Sequence, residues 1–235
     1  MKRNELKILA LDTSTEACSA ALLIDKKIDV RFEIAPQQHS QLILPMCEDL
    51  LRNANITVKD LSAIAFARGP GSFTGLRIAA GVTQGIAFGA DLPVIGISTL
   101  EALAYEALSK HPKSTIISAI DARMREVYWA EYSLNNSNSI IATNSERVGK
   151  PDTVFSTSLS EVVAIGSGWK VYEKELSPLI QEKNISFIYS ESLPSAEQIA
   201  QLAVKKWLNK DLLSAEQALP VYLRNDVAKK SVVKE

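Results

Sequence analysis

The sequence predicts an α/β protein of two similar halves, each a β-β-β-α-β-α-β unit. Three observations point there. Two apolar strands end in aspartates, Asp12 and Asp121, and each aspartate stands six positions ahead of a second strand, starting at Cys18 and at Val127. In each half a later apolar strand runs into a glycine turn, Gly69-Pro70-Gly71 and Gly166-Ser167-Gly168. The chain has 235 residues, which suits one large domain or two small ones at about 150 residues per domain.

The elements follow in order. KILALDT, from Lys7 to Thr13, reads as a buried strand, and Cys18 to Ile24 as its neighbour after a short turn. Asp25-Lys26-Lys27 is a hairpin turn. Beyond it Ile28, Val30, Phe32 and Ile34 alternate with Asp29, Arg31 and Glu33, a period of two that marks a strand. A helix is predicted over 40–53, with Leu42, Ile43, Met46, Cys47, Leu50 and Leu51 on its apolar side and Pro45 starting or kinking it. AIAFA, from Ala63 to Ala67, is a fourth strand. A glycine loop leads from it into a helix over 74–89, and Pro93 to Ile97 is the fifth strand. Ser98-x-x-Glu101 fits a capping box opening a further helix. The second half repeats the order: strands at 115–120, 127–133, 139–143, 162–165 and 185–189, then a helix over 195–210 capped by Ser195-x-x-Gln198. Two such units make the actin-like ATPase, or ribonuclease H-like, architecture. The expected division is 1–105 for the first unit, with the tail 214–235 packing back on it, and 106–213 for a second, smaller one.

Composition narrows the function. Lys and Arg number 26 against 27 Asp and Glu, a formal net charge of -1, which excludes a globally basic nucleic-acid binder. Two cysteines, Cys18 and Cys47, exclude a disulfide framework and favour a reducing cytoplasm. The first apolar run, Ile8 to Leu11, is broken by Asp12 and is too short for a secretory leader. No stretch approaches the roughly 18 apolar residues of a membrane span. The two histidines, His39 and His111, stand outside any metal-ligand spacing.

Four constellations could carry chemistry. Asp12 and Asp121 occupy the positions at which actin-like ATPases handle a metal ion. Neither following turn, Thr13-Ser14-Thr15-Glu16 or Ala122-Arg123-Met124-Arg125-Glu126, supplies the glycine that lets backbone amides approach phosphate. The plainer reading is that each aspartate satisfies a backbone amide at a strand end. The loop Gly69-Pro70-Gly71-Ser72-Phe73-Thr74-Gly75 puts a helix N-terminus beside Arg77, a setting for an anion or simply a tight turn. Gly81, Gly85 and Gly89 recur every four residues and form one ridge. Each costs its helix roughly 0.5–1 kcal/mol relative to alanine, so a close backbone is expected there, from the chain's own sheet or from another chain's helix. Arg123, Arg125, Tyr128 and Trp129, with Tyr222, Arg224, Lys229 and Lys230 in the tail, could touch RNA. A solvated rim with core aromatics fits them better.

The stretches ILALDTST, HSQLILP, ARGPGSFTGLRIAAG, VIGISTLEALA, AIDARMREVYWAEY, IGSGW and PVYLRN together resemble the TsaB family, in order and over essentially the whole chain. The resemblance implies an actin-like fold and a supporting part in making N6-threonylcarbamoyladenosine beside the anticodon of tRNAs that read codons beginning with A. It implies a TsaD-like catalytic subunit as partner, a TsaE-like ATPase, and a homodimer when the chain is alone. It implies tRNA contact only through the complex, and no membrane. The implied partner face is the first two helices: His39, Leu42, Ile43, Met46 and Leu50 on one, Thr74, Ile78, Gly81, Val82, Gly85 and Gly89 on the other. No cofactor is implied for the chain alone. Weak ATP or ADP with Mg is expected near Asp12, Thr13, Gly69, Gly71, Ser72 and Thr74, at the partner interface. TsaD-like proteins hold a metal with a helical histidine pair, which this sequence lacks, so no catalytic residue and no metal site are assigned. The rival reading is an actin-fold kinase or ATPase using Asp12 and Asp121.

Overall fold

The computed structural model describes residues 5–156, 158, 161–183, 185 and 187–224. β1 (Lys7–Asp12), β2 (Ala17–Ile24) and β3 (Lys27–Ile34) form an antiparallel meander, and β4 (Ala63–Gly69) and β5 (Val94–Ser98) add parallel to β1. The resulting order is β3-β2-β1-β4-β5. β1 is central and covered on both faces, which is why KILALD is a nearly continuous apolar run. Leu9 and Leu11 enter one core; Ile8 and Ala10 enter another.

α1 (His39–Asn53) and α2 (Phe73–Ala90) cover the first of those faces. α1 begins before Pro45 and runs through it, so of the two roles expected for the proline, starting or kinking the helix, it does not take the first. Pro45 and Gln41 both face solvent, where water can take the carbonyl that a proline nitrogen leaves unbonded. Ser72 caps α2 through its hydroxyl, which accepts from the Gly75 N–H, and Ser98 caps α3 (Thr99–Lys110) in the same way from Leu100 and Glu101.

The second sheet comprises β6 (Thr115–Asp121), β7 (Val127–Leu134), β8 (Ile140–Ala142), β10 (Val162–Ile165) and β11 (Phe187–Tyr189), in the order β11-β10-β6-β7-β8. β9 (Arg147–Gly149) pairs with β7 and was not expected. With β8 in the place of β3, the two orders match. The fold is α/β, duplicated and ribonuclease H-like. α4 (Gly168–Val171) and α5 (Glu173–Glu182) cover one face of this sheet around Trp129 and Trp169.

The other faces are covered crosswise. α3 closes the first half in sequence, yet its Leu100, Leu103, Ala107 and Leu108 pack on Ile116, Ile120 and Val163 of the second sheet. α6 (Ala196–Leu208) closes the second half, yet its Ile199, Ala200, Leu202 and Ala203 pack on Ile8, Ala10, Ala65 and Ile95 of the first. This corrects the placement of the 195–210 helix in the 106–213 unit. Burying Ile199 and Leu202 there contributes about 1.5–3 kcal/mol each. After α6, Leu213 exchanges two backbone hydrogen bonds with Val94, and Ala218 is buried against the α1–α2 core. Lys229 and Lys230 lie outside the described residues.

Candidate functional site

The β1–β2 turn and the β4–α2 loop form one packed corner. Asp12 is 1 % exposed, and its Oδ1 accepts the Ser14 N–H at 2.8 Å. Its Oδ2 has no hydrogen-bond partner among the described residues. Burial pushes this carboxyl up to about 6, against the Ser14 hydroxyl and N–H, which draw it down. The Thr13 hydroxyl donates to the Gly75 carbonyl at 2.7 Å, and the Ser72 N–H donates to the Ser14 carbonyl at 2.7 Å. A Cβ on Gly71 would collide with the Ser14 carbonyl oxygen, and one on Gly75 with that of Thr13. These two glycines therefore let the loop lie against its own hairpin, and the Ser72 amide is spent there. Gly69 has φ +110°, and a Cβ there would lie 2.9 Å from the Val221 carbonyl. The structure thus gathers Asp12, Thr13, Gly71 and Ser72 in one corner, with Thr13 buried; Thr74 faces outward on α2.

The second unit repeats the arrangement. Asp121 Oδ1 accepts the Arg123 N–H at 2.9 Å, as Asp12 accepts that of Ser14. It also accepts the Tyr172 hydroxyl at 2.8 Å, and the Arg123 guanidinium stands 3.1 Å from Oδ2. Burial, then the Asp121 bond, pushes the Tyr172 hydroxyl up to about 12. Both aspartates thus serve as backbone-capping groups of the kind Asx-turns use. Between the corners opens a cleft of about 850 Å³, lined by Ser14, Glu16 and Ser72 on one side and Asp121, Tyr128 and Ser167 on the other. Asp12 is not part of its wall. Trp129 is a core residue, whereas the Arg123 side chain is exposed and paired with Asp121. Among the described residues, no three His, Cys, Asp or Glu side chains form a group that could hold a metal ion. His111 Nε2 lies 2.8 Å from the Tyr189 hydroxyl, and His39 Nε2 has no partner among the described residues.

The outer face of α2 differs from both corners. Leu76, Ala79, Ala80, Thr83 and Ala87 face the core. Gly81, Gly85 and Gly89 lie on the opposite side, and a Cβ at any of them would meet nothing within 4 Å among the described residues. Of the two close neighbours expected for the ridge, the chain's own sheet is therefore excluded and another chain's helix is left. Phe88, 77 % exposed, lies on the same face, and Arg77 is the helix's single charged residue. Ile78 and Val82 edge the face, partly buried against the α1–α2 core. On α1 the expected partner residues divide. Leu42 and Met46 are half-buried, and His39 is buried. Ile43 and Leu50 are 0 % exposed and belong to the chain's own core, because the apolar stripe of α1 faces the sheet. Leu44, exposed and not singled out from the sequence, projects instead. Periodicity in a single helix could not separate these roles.

Comparison with known proteins agrees over the whole chain. Residues 30–231 match the family model described as TsaD: tRNA N6-adenosine threonylcarbamoyltransferase. The tRNA threonylcarbamoyladenosine biosynthesis protein TsaB of Escherichia coli K12 is 41% identical over 233 residues, 97% of this chain and 98% of that protein. The Haemophilus influenzae TsaB is 40% identical, over 97% of each chain. Among solved structures, YeaZ from Pseudomonas aeruginosa superposes with a TM-score of 0.86 at 41% identity, covering 93% of this chain and 100% of that one. The fold, the paired corners and these likenesses converge, and the chain belongs to the TsaB family of tRNA threonylcarbamoyladenosine biosynthesis proteins.

Proposed function

We propose that this protein is a non-catalytic subunit for N6-threonylcarbamoyladenosine synthesis in tRNA, which binds and supports a TsaD-like catalytic subunit. The observation that carries this is the outer face of α2. It is a solvent-facing helix surface with three glycines, Phe88 and one charge, and its glycines answer to nothing among the described residues. In a monomer Gly81 and Gly85, inside the helix, cost stability with no packing gain among the described residues, whereas a partner backbone can approach the ridge closely. The same face serves a homodimer when the chain is alone. A TsaE-like ATPase joins through the complex, tRNA is contacted only there, and the setting is the cytoplasm. ATP or ADP, with Mg, binds weakly at most to the lone chain, since the Ser72 amide and the loop glycines are already engaged by the β1–β2 turn.

The corners favour support over catalysis. Asp12 is buried behind the cleft wall, and Asp121 already holds an amide, a phenol and a guanidinium. A kinase or ATPase would need these carboxylates turned toward a metal-bound nucleotide. The test is a reconstituted transfer assay with TsaD-like and TsaE-like partners and unmodified tRNA. Asp12→Ala and Asp121→Ala proteins that assemble should retain transfer within about tenfold, whereas a loss of a thousandfold or more, the scale of a removed catalytic group, rejects the reading.

A further inference from the structure

The last five described residues, Pro220 to Arg224, cross from the first unit to the second. The Val221 N–H donates to the Arg68 carbonyl at 2.8 Å, at the end of β4. The Val221 carbonyl fills the space a side chain on Gly69 would need. The Tyr222 ring lies 5.5 Å from that of Phe73, and its hydroxyl accepts from Arg77 Nε at 3.2 Å. Arg77 in turn lies 3.7 Å over the Phe73 ring. Two residues on, the tail reaches the β6–β7 turn of the second unit. Arg224 donates to the Ala122 carbonyl at 3.3 Å, pairs with the Glu126 carboxylate and meets Met124 Sδ at 3.4 Å. Its side chain is only 17 % exposed.

The turn it grips is a demanding one. Arg123, Met124 and Arg125 take φ values of +60°, +55° and +61°, three successive left-handed residues that all carry a Cβ. Such a turn persists where its surroundings over-determine it. Asp121 holds its first residue from within, and Arg224 holds both its ends, Ala122 and Glu126, from outside. Tyr222 and Arg224 also line the interdomain cleft. α3 and α6 join the units between the two sheets; the tail joins them at the cleft.

We propose that Pro220–Arg224 is a strap that sets the opening of the interdomain cleft, tying the β4–α2 corner to the β6–β7 turn with no ligand between them. A bridging ligand is one way to fix the angle between two such units. Here the chain's own tail supplies the bridge, so that angle is a property of the free protein.

The test is the distance between nitroxides at Lys59→Cys and Lys174→Cys, one exposed site on each unit, measured by pulsed electron resonance in the full chain mixed with excess unlabelled protein, so that a dimer carries a single labelled protomer. The native thiols, Cys18 and Cys47, are buried and resist labelling. The unaltered strap should give one narrow distribution, unchanged by added ATP and Mg. Arg224→Glu, which sets two carboxylates against each other at the turn, should broaden the distribution and move it to longer distance. Tyr222→Ala, which keeps the Glu126 pair and removes the Phe73 and Arg77 contacts, should do the same and carries the test if Arg224→Glu does not fold. A distribution unchanged in a folded variant overturns the strap, as does one that is broad in the unaltered chain and narrows only with nucleotide.

Discussion

The Thr13 hydroxyl donates to the Gly75 carbonyl at 2.7 Å, joining residues 62 positions apart and closing the β1–β2 turn onto the first turn of α2. The contact leaves no room for a side chain on Gly75, whereas ten residues along the same helix Gly85 faces open space. The two glycines should therefore respond in opposite ways. Gly75→Ala forces the corner apart and should destabilise the chain by about 1–3 kcal/mol or more. Gly85→Ala removes a helix-weakening residue without a clash and should stabilise it by up to about 1 kcal/mol. Chemical denaturation of the two variants checks the pair of signs. A loss at Gly85 as large as that at Gly75 would contradict the open face.

Assembly should respond differently from stability. Gly85→Arg places a long charged side chain on the ridge without touching the core. At a concentration where the parent is monomeric the variant should keep its unfolding midpoint, and at higher concentration it should lose self-association and co-purification with a TsaD-like partner. Sedimentation showing an unchanged dimer would reject this face as the contact.

Ile43 and Leu50 should behave as core residues. Each, cut to alanine, should cost about 2–5 kcal/mol in the lone chain. Leu44→Ala, on the exposed side of the same helix, should stay within about 0.5 kcal/mol of the parent. Thermal melts at a concentration where the chain is monomeric distinguish the two classes.

Asp12 should make stability fall as pH rises. Its carboxyl ionises at about 6 in the fold and at 3.8 when exposed. Well below pH 3.8 the proton is bound in both states, and the group is neutral to folding. Between those values the unfolded chain releases the proton and the folded chain keeps it, so the cost builds with pH. By pH 7 it reaches about 3 kcal/mol. The stability gap between Asp12→Asn and the parent should therefore move in favour of the variant by about 2.5 kcal/mol between pH 4 and pH 7.5. Denaturant titrations at both values measure it, and a pH-independent gap would show Asp12 to be ionised throughout.

A nucleotide should add little to the lone chain. Calorimetry with ATP and Mg should find no binding tighter than micromolar, and sub-micromolar affinity would mean that the corner opens to expose its amides.

Much of the architecture was legible because it rests on local signals. KILALD, AIAFA and VVAI announce buried strands by composition, and Ser98 and Ser195 announce helix starts by chemistry. β9 escaped because Arg147-Val148-Gly149 is too short to show a period. Periodicity gives the width of a helix's apolar face but not the sheet it meets, so it shows neither the seat of α6 on the first sheet nor that of Ile43 in the chain's own core. The glycine motif was visible, but spacing cannot say whether a missing side chain makes room for phosphate, for a partner, or for the carbonyls of Thr13 and Ser14. The tail PVYLRN has no period at all, and its contacts with Phe73 and Glu126 exist only in three dimensions.

The crosswise seating of α3 and α6 governs the order in which the chain can be built. On a ribosome the first sheet can pair its five strands once Ser98 has emerged, yet one face stays bare until the helix ending at Leu208 is made. Meanwhile α3 offers its leucines to a second sheet that does not yet exist. The second sheet finds its cover in α3, already made, whereas the first must wait for α6, so the half that is synthesised first is the last to be closed. Severing the chain between α3 and β6 should accordingly yield two fragments that are insoluble apart and fold only when made together.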